Sequence, residues 1–311
     1  MATNDFLPFA GGSGANVLTQ AAYVALSTTR ANGFISGTAN SQQLNKVWRQ
    51  SSIIAAAVAQ AISDLSGQDA IDDGTTSTIT AMFKTAIRGA KSIQRFTASG
   101  SFTVPVGVTQ IWVSGCAGGG GGGSSLATNS SSFLTGGSGG GAGQSVMRVP
   151  ISVTPGQVIP VTIGAGGSGG TAATNNATDG GSTQLGTSGS LLNLLPGSKG
   201  AMGTGGTSAP FNYGGPQGGA GYPAGGSACD TNVFSSGASN ATGGIGGIGG
   251  NSPFGNSGPP GRGATGSSPP ANPGFGFGAG GSGSGGAYNS TTTAPGGTGA
   301  AGLPGILIIE W

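Results

Sequence analysis

The sequence contains no histidine, and its 311 residues include only 10 Lys and Arg and 8 Asp and Glu residues. Histidine is the usual base for a catalytic serine and a common metal ligand, so most Ser-His chemistry and most zinc sites are excluded. The run Gly136–Gly140 fits the G-x-S-x-G nucleophile motif. In a chain so rich in Gly and Ser, that match is expected by chance. We therefore expect no enzyme, no metal site and no cofactor.

Positive charge is also scarce, because residues 101–311 contain only Arg148, Lys199 and Arg262 as cations. Nucleic-acid binding needs clustered Lys and Arg to neutralise phosphates, so we exclude it. No segment reaches the roughly 18 apolar residues of a membrane-spanning helix, and the N-terminus lacks a basic segment followed by an apolar run. We expect no membrane insertion, and synthesis in a cytoplasm without a secretory signal.

Cysteine is limited to Cys116 and Cys229. A disulfide would need their Cα atoms within roughly 7 Å, which the sequence does not show, and cytoplasmic synthesis disfavours one. We expect both thiols to be reduced and partly buried, and the question of their pairing stays open.

Glycine is abundant, with 70 residues, of which 9 lie in residues 1–100 and 61 in residues 101–311. Such a bias is typical of disordered chains, but disorder usually combines low hydrophobicity with high net charge. Here the net charge is +2 and the mean hydropathy is +0.07. Clusters of β-branched and aromatic residues also interrupt the glycines, so we predict a folded chain with mobile loop tips.

The first third has helical patterns. We predict a lead over 1–39, with a short helix after the N-cap Thr19, and a helical region over 40–95. Its main helix begins at Asn40 or Ser41 and ends at the C-cap Gly67. This helix has more apolar surface than one neighbour can cover, which favours self-association. The candidate residues for a trimer interface are Leu44, Val47, Trp48, Ile54, Val58 and Ile62.

A second helix is predicted from Thr75 or Thr76 to Arg88, with a stripe of apolar residues along one face. It follows Asp69, Asp72 and Asp73, which lack the alternating ligands of a calcium loop. We therefore assign these carboxylates to helix capping.

From Phe96 the apolar period changes to two, which indicates strands. We predict a β-sandwich over 96–311, with Ile111-Trp112-Val113 next to the closing strand Ile306–Trp311. Long Gly-rich insertions over 117–144, 164–181 and 186–302 interrupt it. The predicted strands are Ser101–Val104, Thr109–Ser114, Ser145–Val149, Ile151–Val153, Gln157–Ile163, Thr183–Leu185 and Ile306–Trp311.

The insertion over 186–302 is too long for a structureless loop in a compact domain, so it either has its own order or hangs free. Collagen is excluded because glycine does not fall at every third position. The Gly-Gly-Ile repeat in 243–250 has the three-residue period of a polyproline II-type helix, and such helices can pack closely where Cβ atoms are absent. The insertion therefore forms either polyglycine II-like helices or mobile loops. We predict that the glycines Gly118–Gly123 carry the chain from the sheet to a display surface.

Aromatic residues are dispersed among the glycines and prolines of this insertion. They either pin loops to a thin core or stand exposed as a binding surface, as Tyr does with Gly and Ser in antibody paratopes. The candidate receptor-binding residues are Phe211, Tyr213, Tyr222, Phe275, Phe277 and Tyr288.

Several stretches in the first third and in the second part of the chain resemble a known family. The run Ala15–Tyr23, with Asn45–Ser52 and Asp72-Asp73-Gly74, resembles the virion-proximal part of tail fibre proteins of tailed bacteriophages and prophages. The run Phe96–Thr109 and the closing Gly302–Trp311 are similar to the glycine-rich domain that ends many phage fibres. The glycine-rich adhesins of T-even-like phages, with layered polyglycine II helices, offer an analogy for 186–302 on composition.

The resemblance implies a homotrimeric fibre that is fixed to the baseplate or tail by its N-terminal region. Its C-terminal domain would bind a bacterial surface receptor, whether a glycan, a pilus or an outer-membrane protein. The alternative is a purely structural fibre or baseplate adaptor that carries a separate adhesin. A secreted matrix or ice-binding protein is disfavoured because it would need an export signal.

Overall fold

The computed structural model describes residues 2–37, 40–89, 93–127, 132–172, 174, 176–206, 216–228, 244–265, 267–289 and 295–311. The chain divides into two compact units, Met1–Ser92 and Ile93–Trp311. The first unit is helical, and the second is built from β-strands and glycine-rich segments.

Three predicted caps delimit helices of the first unit, Thr19 before α1 and Asn40 and Gly67 at the two ends of α3, whereas α2 is additional to the prediction. The Thr19 hydroxyl accepts from the Ala22 N–H, and the Asn40 side chain accepts from two backbone N–H groups of the first turn of the long helix. Gly67 ends that helix in the left-handed conformation, at φ 68°. The helices are α1 Gln20–Ala25, α2 Ser27–Asn32, α3 Ser41–Ser66 and α4 Thr76–Gly89.

The N-terminal lead lies along α3. Asn4 forms a parallel bridge with Ala70, and the Asn4 side chain donates to the Ala56 carbonyl at 3.1 Å. The ring of Phe9 contacts Trp48 edge-on, with ring centroids 5.8 Å apart. The lead is thus a folded part of the helical unit.

The described residues of the second unit form three four-stranded sheets and a two-stranded pair. Two sheets, in the orders β1-β14-β3-β5 and β2-β6-β7-β8, are antiparallel throughout. The strands are β1 Ile93–Phe96, β2 Gly100–Thr103, β3 Gln110–Cys116, β4 Ser132–Leu134, β5 Ser145–Ser152, β6 Val158–Thr162, β7 Thr183–Leu185, β8 Leu192–Leu194, β9 Gly205–Gly206, β10 Gly255–Asn256, β11 Ala264–Thr265, β12 Phe275–Gly276, β13 Ala287–Asn289 and β14 Ile306–Glu310.

The two antiparallel sheets share one hydrophobic core. Ile111 and Leu307 of the first sheet and Phe102, Ile159 and Leu185 of the second belong to the same buried cluster. The predicted pairing of the closing strand with the strand around Trp112 is confirmed, because β14 pairs with β3 in register Glu310 to Trp112. These two sheets form the base of the second unit.

Three features of the base differ from the prediction. The two strands predicted on either side of Pro150 are one strand, β5, which tolerates proline because it lies at a sheet edge. Two residues of β5, Met147 and Arg148, oppose the single Ser114 in a β-bulge. The strands β1 and β8 are additional to those predicted.

The glycine-rich insertions form a hydrogen-bonded array around the segment 117–125. Successive N–H groups of this central segment donate in rotation to three other segments, with a repeat of three residues. The donor and acceptor pairs are Gly118 to Gly181 and Gly121 to Thr178, Gly119 to Leu303 and Gly122 to Ala300, and Gly120 to Gly141 and Gly123 to Ser138. Lateral hydrogen bonds with this three-residue repeat indicate a polyglycine II-type arrangement.

The carbonyls of the central segment accept, in the same rotation, from three further segments. The donor and acceptor pairs are Gly197 to Gly118 and Gly200 to Gly121, Gly167 to Gly119 and Gly170 to Gly122, and Gly281 to Gly120 and Ser284 to Gly123. As residue numbers increase along the central segment, the numbers of the bonded residues decrease in the first three neighbouring segments and increase in these three. The central segment is therefore surrounded by six segments, three antiparallel and three parallel to it, and we call the whole array the glycine lattice.

Close approach explains why the lattice centre is glycine. A Cβ atom on Gly120 would lie closer than 3.0 Å to the backbone of Ser198, and one on Gly121 equally close to the backbone of Ser168. Neither glycine adopts positive φ. Glycine is needed at these positions because the neighbouring backbones leave no space for a Cβ atom. Any larger residue would push two segments apart.

The glycines Gly118–Gly123 leave the sheet directly after β3, and all six are buried at the centre of the lattice. Described segments of the insertions 117–144 and 164–181 belong to it, as do described segments between Leu195 and Gly302, whereas β8, which also lies within 186–302, belongs to the base. The predicted three-residue period is confirmed over 244–250, where Ile245 and Ile248 are exposed and the glycines between and beside them are buried.

Candidate functional site

The lattice has two ends, and the sheets of the base lie at one of them. The central segment begins directly after β3, and the segment 135–144 runs back to β5. The segments 164–170 and 176–181 likewise join β6 to β7. We call this the base end and the opposite end the tip. The central segment has nine residues, and its eight steps of about 3.1 Å separate its ends by roughly 25 Å.

The tip is closed by a small sheet in the order β11-β13-β4-β9. Its strands continue lattice segments directly, since β4 precedes the segment that starts at Thr135 and β9 follows Thr204. The backbone N–H of Thr135 donates to the Thr204 carbonyl at 2.9 Å, and that of Thr204 donates to the Thr135 hydroxyl at 2.7 Å. Hydrogen bonding thus fixes the backbone at the tip.

A second reciprocal pair joins the ends of two distant segments at the tip. The Ser125 N–H donates to the Gly297 carbonyl at 3.1 Å, and the Gly297 N–H donates to the buried Ser125 hydroxyl at 2.8 Å. These residues are 172 positions apart in sequence. The tip therefore brings together parts of the chain that are remote in sequence, as a composite binding surface requires.

The described aromatic candidates lie mostly at the base end. The Tyr222 N–H donates to the Ala142 carbonyl, two residues before the segment reaches Gln144 and β5. Phe275 and Phe277 lie within three residues before Gly278. The Gly278 N–H donates to the Pro304 carbonyl, just before β14. The sequence does not show whether these residues lie at the base end or at the tip, because their position depends on where each lattice segment reverses direction.

The exposure of these aromatics also differs. Phe275 is 70% exposed and Tyr222 is 45% exposed. Phe277 is half-buried, and the Arg95 guanidinium lies 5.1 Å from its ring centroid. Phe277 therefore fits the alternative that aromatic residues pin the loops.

Tyr288 is the described candidate whose backbone lies at the tip, in β13, where it pairs with Phe133 of β4. Phe211 and Tyr213 lie outside the described residues. In sequence they follow β9, which is a tip strand.

The candidate trimer residues lie on α3. Trp48, Ile54 and Val58 are exposed, at 53%, 66% and 45%, and Leu44 and Val47 are half-buried. An apolar groove of about 350 Å³ runs beside Ile54 and Val58 and is also lined by Phe6, Ala59 and Ile79.

Ile62 is different from the other trimer candidates, because it is only 2% exposed. Its side chain packs inside its own chain and is not available to a partner. We therefore leave it out of any proposed interface.

Ionisable groups have local structural roles where the chain is described. The Asp73 carboxylate accepts hydrogen bonds from the Thr78 and Thr75 side chains and the Thr75 N–H, which lowers its pKa and holds the turn before α4. Asp69 instead accepts from the Thr3 N–H and Asp72 from the Gly74 N–H, so these two carboxylates do not cap the helix as predicted. Burial raises the pKa of Cys116 to about 11. This thiol therefore stays protonated near neutral pH. Cys229 lies outside the described residues.

The serine of the G-x-S-x-G match is a lattice residue. Ser138 is fully buried, its hydroxyl donates to the Gln217 carbonyl at 2.8 Å, and it accepts from the Ala201 N–H at 2.7 Å. The side chain links lattice segments.

Among the described residues, no helix is long and apolar enough to cross a membrane.

These observations define a class of protein in which a glycine lattice projects from a base of antiparallel sheets. Residues 96–311 match a family model described as a glycine-rich domain. The chain therefore belongs to the glycine-rich domain family. A search of curated proteins gave no significant match.

Proposed function

We propose that the protein is a tail fibre of a tailed bacteriophage or prophage that binds a host surface receptor through the tip of its glycine lattice. The helical unit forms a homotrimer and attaches to the baseplate or tail. In this proposal the base is a β-sandwich that carries the lattice, and the fibre resides in the virion after synthesis in the host cytoplasm. The resemblance of Ala15–Tyr23 and Asn45–Ser52 to tail fibres supports it.

The observation that carries the proposal is the gathering of chain reversals at the tip. The lattice segments that end near Ser125, Thr204 and Gly286 all stop at the end away from the base. The base holds β1, where the chain enters the second unit. Surface loops on a rigid scaffold are a common place for binding residues, because the scaffold fixes their ends and leaves their sequence free to vary.

The lattice is well suited to act as such a scaffold. Its central segment directs its N–H groups at three neighbours and its carbonyls at three others, so bending it would break several hydrogen bonds at once. Glycine contributes no side chains to a binding surface. The receptor specificity would therefore belong to the residues at the tip.

Competition with the phage tests this proposal. Fluorescently labelled full-length protein is added to a panel of bacterial strains, and phage adsorption is measured with and without unlabelled protein. We expect binding on susceptible strains only, and reduced adsorption of the phage. Failure to bind any susceptible strain would favour the structural adaptor.

Two substitutions distinguish the tip from the base end. We expect Tyr288→Ser, in the tip strand β13, to reduce binding to susceptible cells. Phe275→Ser removes a highly exposed aromatic side chain at the base end and should leave binding unchanged. The opposite result would place the receptor site at the base end.

A further inference from the structure

An open cleft on the side of the lattice is separate from the tip contacts described above. It has a volume of about 470 Å³ and lies between the segment 258–264 and the segment that begins at Ser268. Its lining residues are Pro259, Pro260, Arg262, Gly263, Ala264, Pro269, Pro270 and Asn272. Four of these eight are prolines, so the walls are apolar and stiff.

Proline explains why the lattice stops at this cleft. A lattice segment is held by its neighbours through backbone N–H groups, and proline has none. The prolines still serve as acceptors, because the Asn272 N–H donates to the Pro259 carbonyl at 3.0 Å between the two walls and the Gly285 N–H donates to the Pro269 carbonyl at 2.9 Å. Both walls are thus held in place, and the proline nitrogens offer no N–H to a further segment.

Arg262 brings a positive charge to this apolar cleft. The residue is exposed, and in the described part of the chain no carboxylate lies within 4.0 Å of its guanidinium. Of the other two cations of 101–311, Arg148 is paired, because its guanidinium lies 3.3 Å from Glu310. In the described part of the chain the Lys199 ammonium, like the Arg262 guanidinium, has no carboxylate within 4.0 Å.

Within the described residues, two buried hydroxyl groups near the cleft in sequence lack a hydrogen-bond partner. They belong to Ser268, which precedes Pro269, and to Ser284, which precedes the Gly285 that donates to Pro269. Ser268 is 7% exposed and Ser284 is fully buried. Buried polar atoms are normally paired, so unpaired ones indicate a place where a further polar group or water completes the structure.

We propose that this cleft binds an acidic saccharide, with Arg262 pairing to a carboxylate or phosphate group. The guanidinium offers paired donors that match either anion. The proline rings supply an apolar wall for the C–H face of the sugar, and the Asn272 side chain supplies a donor and an acceptor for hydroxyl groups. A largely apolar cleft with few polar groups is the usual form of a small-molecule site.

This inference rests on the proposed function only in assigning the saccharide to the bacterial surface. Purified full-length protein is tested by ligand-observed saturation-transfer NMR against glucuronate, glucose 6-phosphate and glucose. We expect at least one of the two anionic sugars to bind, and glucose to bind at least about tenfold more weakly, because it lacks the charge-assisted hydrogen bond.

Two variants assign the binding to the cleft. We expect Arg262→Gln to weaken binding of the anionic sugar about tenfold. Lys199→Gln removes a cation from another lattice segment and should leave binding unchanged. Equal binding by Arg262→Gln and the unaltered protein, equal binding of glucose, or no binding of either anion would overturn the proposal.

The two proposals fail separately. Cell adsorption that survives Arg262→Gln but is lost with Tyr288→Ser leaves the tip as the receptor site. Sugar binding without any cell adsorption leaves the cleft as a saccharide site and removes the tail-fibre role.

Discussion

At the scale of single residues, glycine acts in this protein through the absence of a side chain. In turns such as the one at Gly107, with φ at 82°, glycine is used because it accepts positive φ. At the lattice centre, glycines such as Gly120 do not have positive φ, and a neighbouring carbonyl lies where a Cβ atom would be. A single added methyl group therefore acts on two segments at once.

The first residue-scale prediction concerns Gly120. Gly120→Ala places a methyl group against the Ser198 carbonyl, which is held in the lattice by the Gly141 N–H. Because the obstacle is backbone and not a flexible side chain, we expect the second unit to lose about 3 kcal/mol of stability or more, or to fail to fold. Thermal unfolding of the full-length protein, followed by circular dichroism, measures the effect.

Gly100→Ala is the matched control. The nearest atom that its Cβ would meet is on the Phe96 ring at 3.9 Å, which is an ordinary contact. This variant should unfold within a few degrees of the unaltered protein. If Gly120→Ala behaved in the same way, close packing of the central segment would be contradicted.

At the scale of elements, the lattice is ordered without helices or strands along most of its length. The amide groups of Gly118–Gly123 donate to neighbouring carbonyls at 2.8–3.0 Å, and these residues are buried. We expect the Gly118–Gly123 amides to exchange with deuterium only through large opening motions of the second unit. Hydrogen exchange measured by mass spectrometry tests this.

The chain contains its own control for that experiment. Residues Gly11–Gly14 have a similar composition, but they are exposed and lie in the helical unit. Their amides should exchange within seconds. Equally fast exchange of Gly118–Gly123 would mean that the run is a mobile loop, as its composition suggests.

The regular elements could be predicted where local chemistry determines them. Asn40 and Gly67 delimit α3 because the side chain of one and the positive φ of the other satisfy the helix ends. The strand β1 was not predicted because it buries only Phe96, so it lacks the alternation that marks a half-buried strand. Its place in the sheet comes from its long-range pairing with β14.

The lattice could be predicted only at its outer face. Where one position in three is exposed, as in 244–250, a side chain recurs every third residue and the period is visible. Where a segment has neighbours on all sides, every position is glycine or another small residue, and the period disappears. The six consecutive glycines are therefore the signature of the lattice centre, although their composition is that of a flexible linker.

At the scale of the whole molecule, the positions of the aromatic candidates depend on how many times the chain crosses the lattice. Tyr222 and Phe275 follow segments that run towards the base, whereas Tyr288 follows one that runs towards the tip. Proline-containing turns mark two of the base-end reversals, at Pro223 and Pro273. Counting crossings between such turns is the sequence signal that could have separated the two groups.

The proposed homotrimer is the last prediction, and it depends on the exposed apolar face of α3. Ile54→Glu with Val58→Glu places two carboxylates on this face, and their desolvation would oppose burial in an interface. We expect light scattering coupled to size-exclusion chromatography to give three times the chain mass for the unaltered protein and one chain mass for the double variant. Ile35→Glu is the control, because Ile35 is 87% exposed and lies outside α3, and it should remain a trimer. A monomer for the unaltered protein across micromolar concentrations would contradict the homotrimer, and a trimeric double variant would move the interface away from this face.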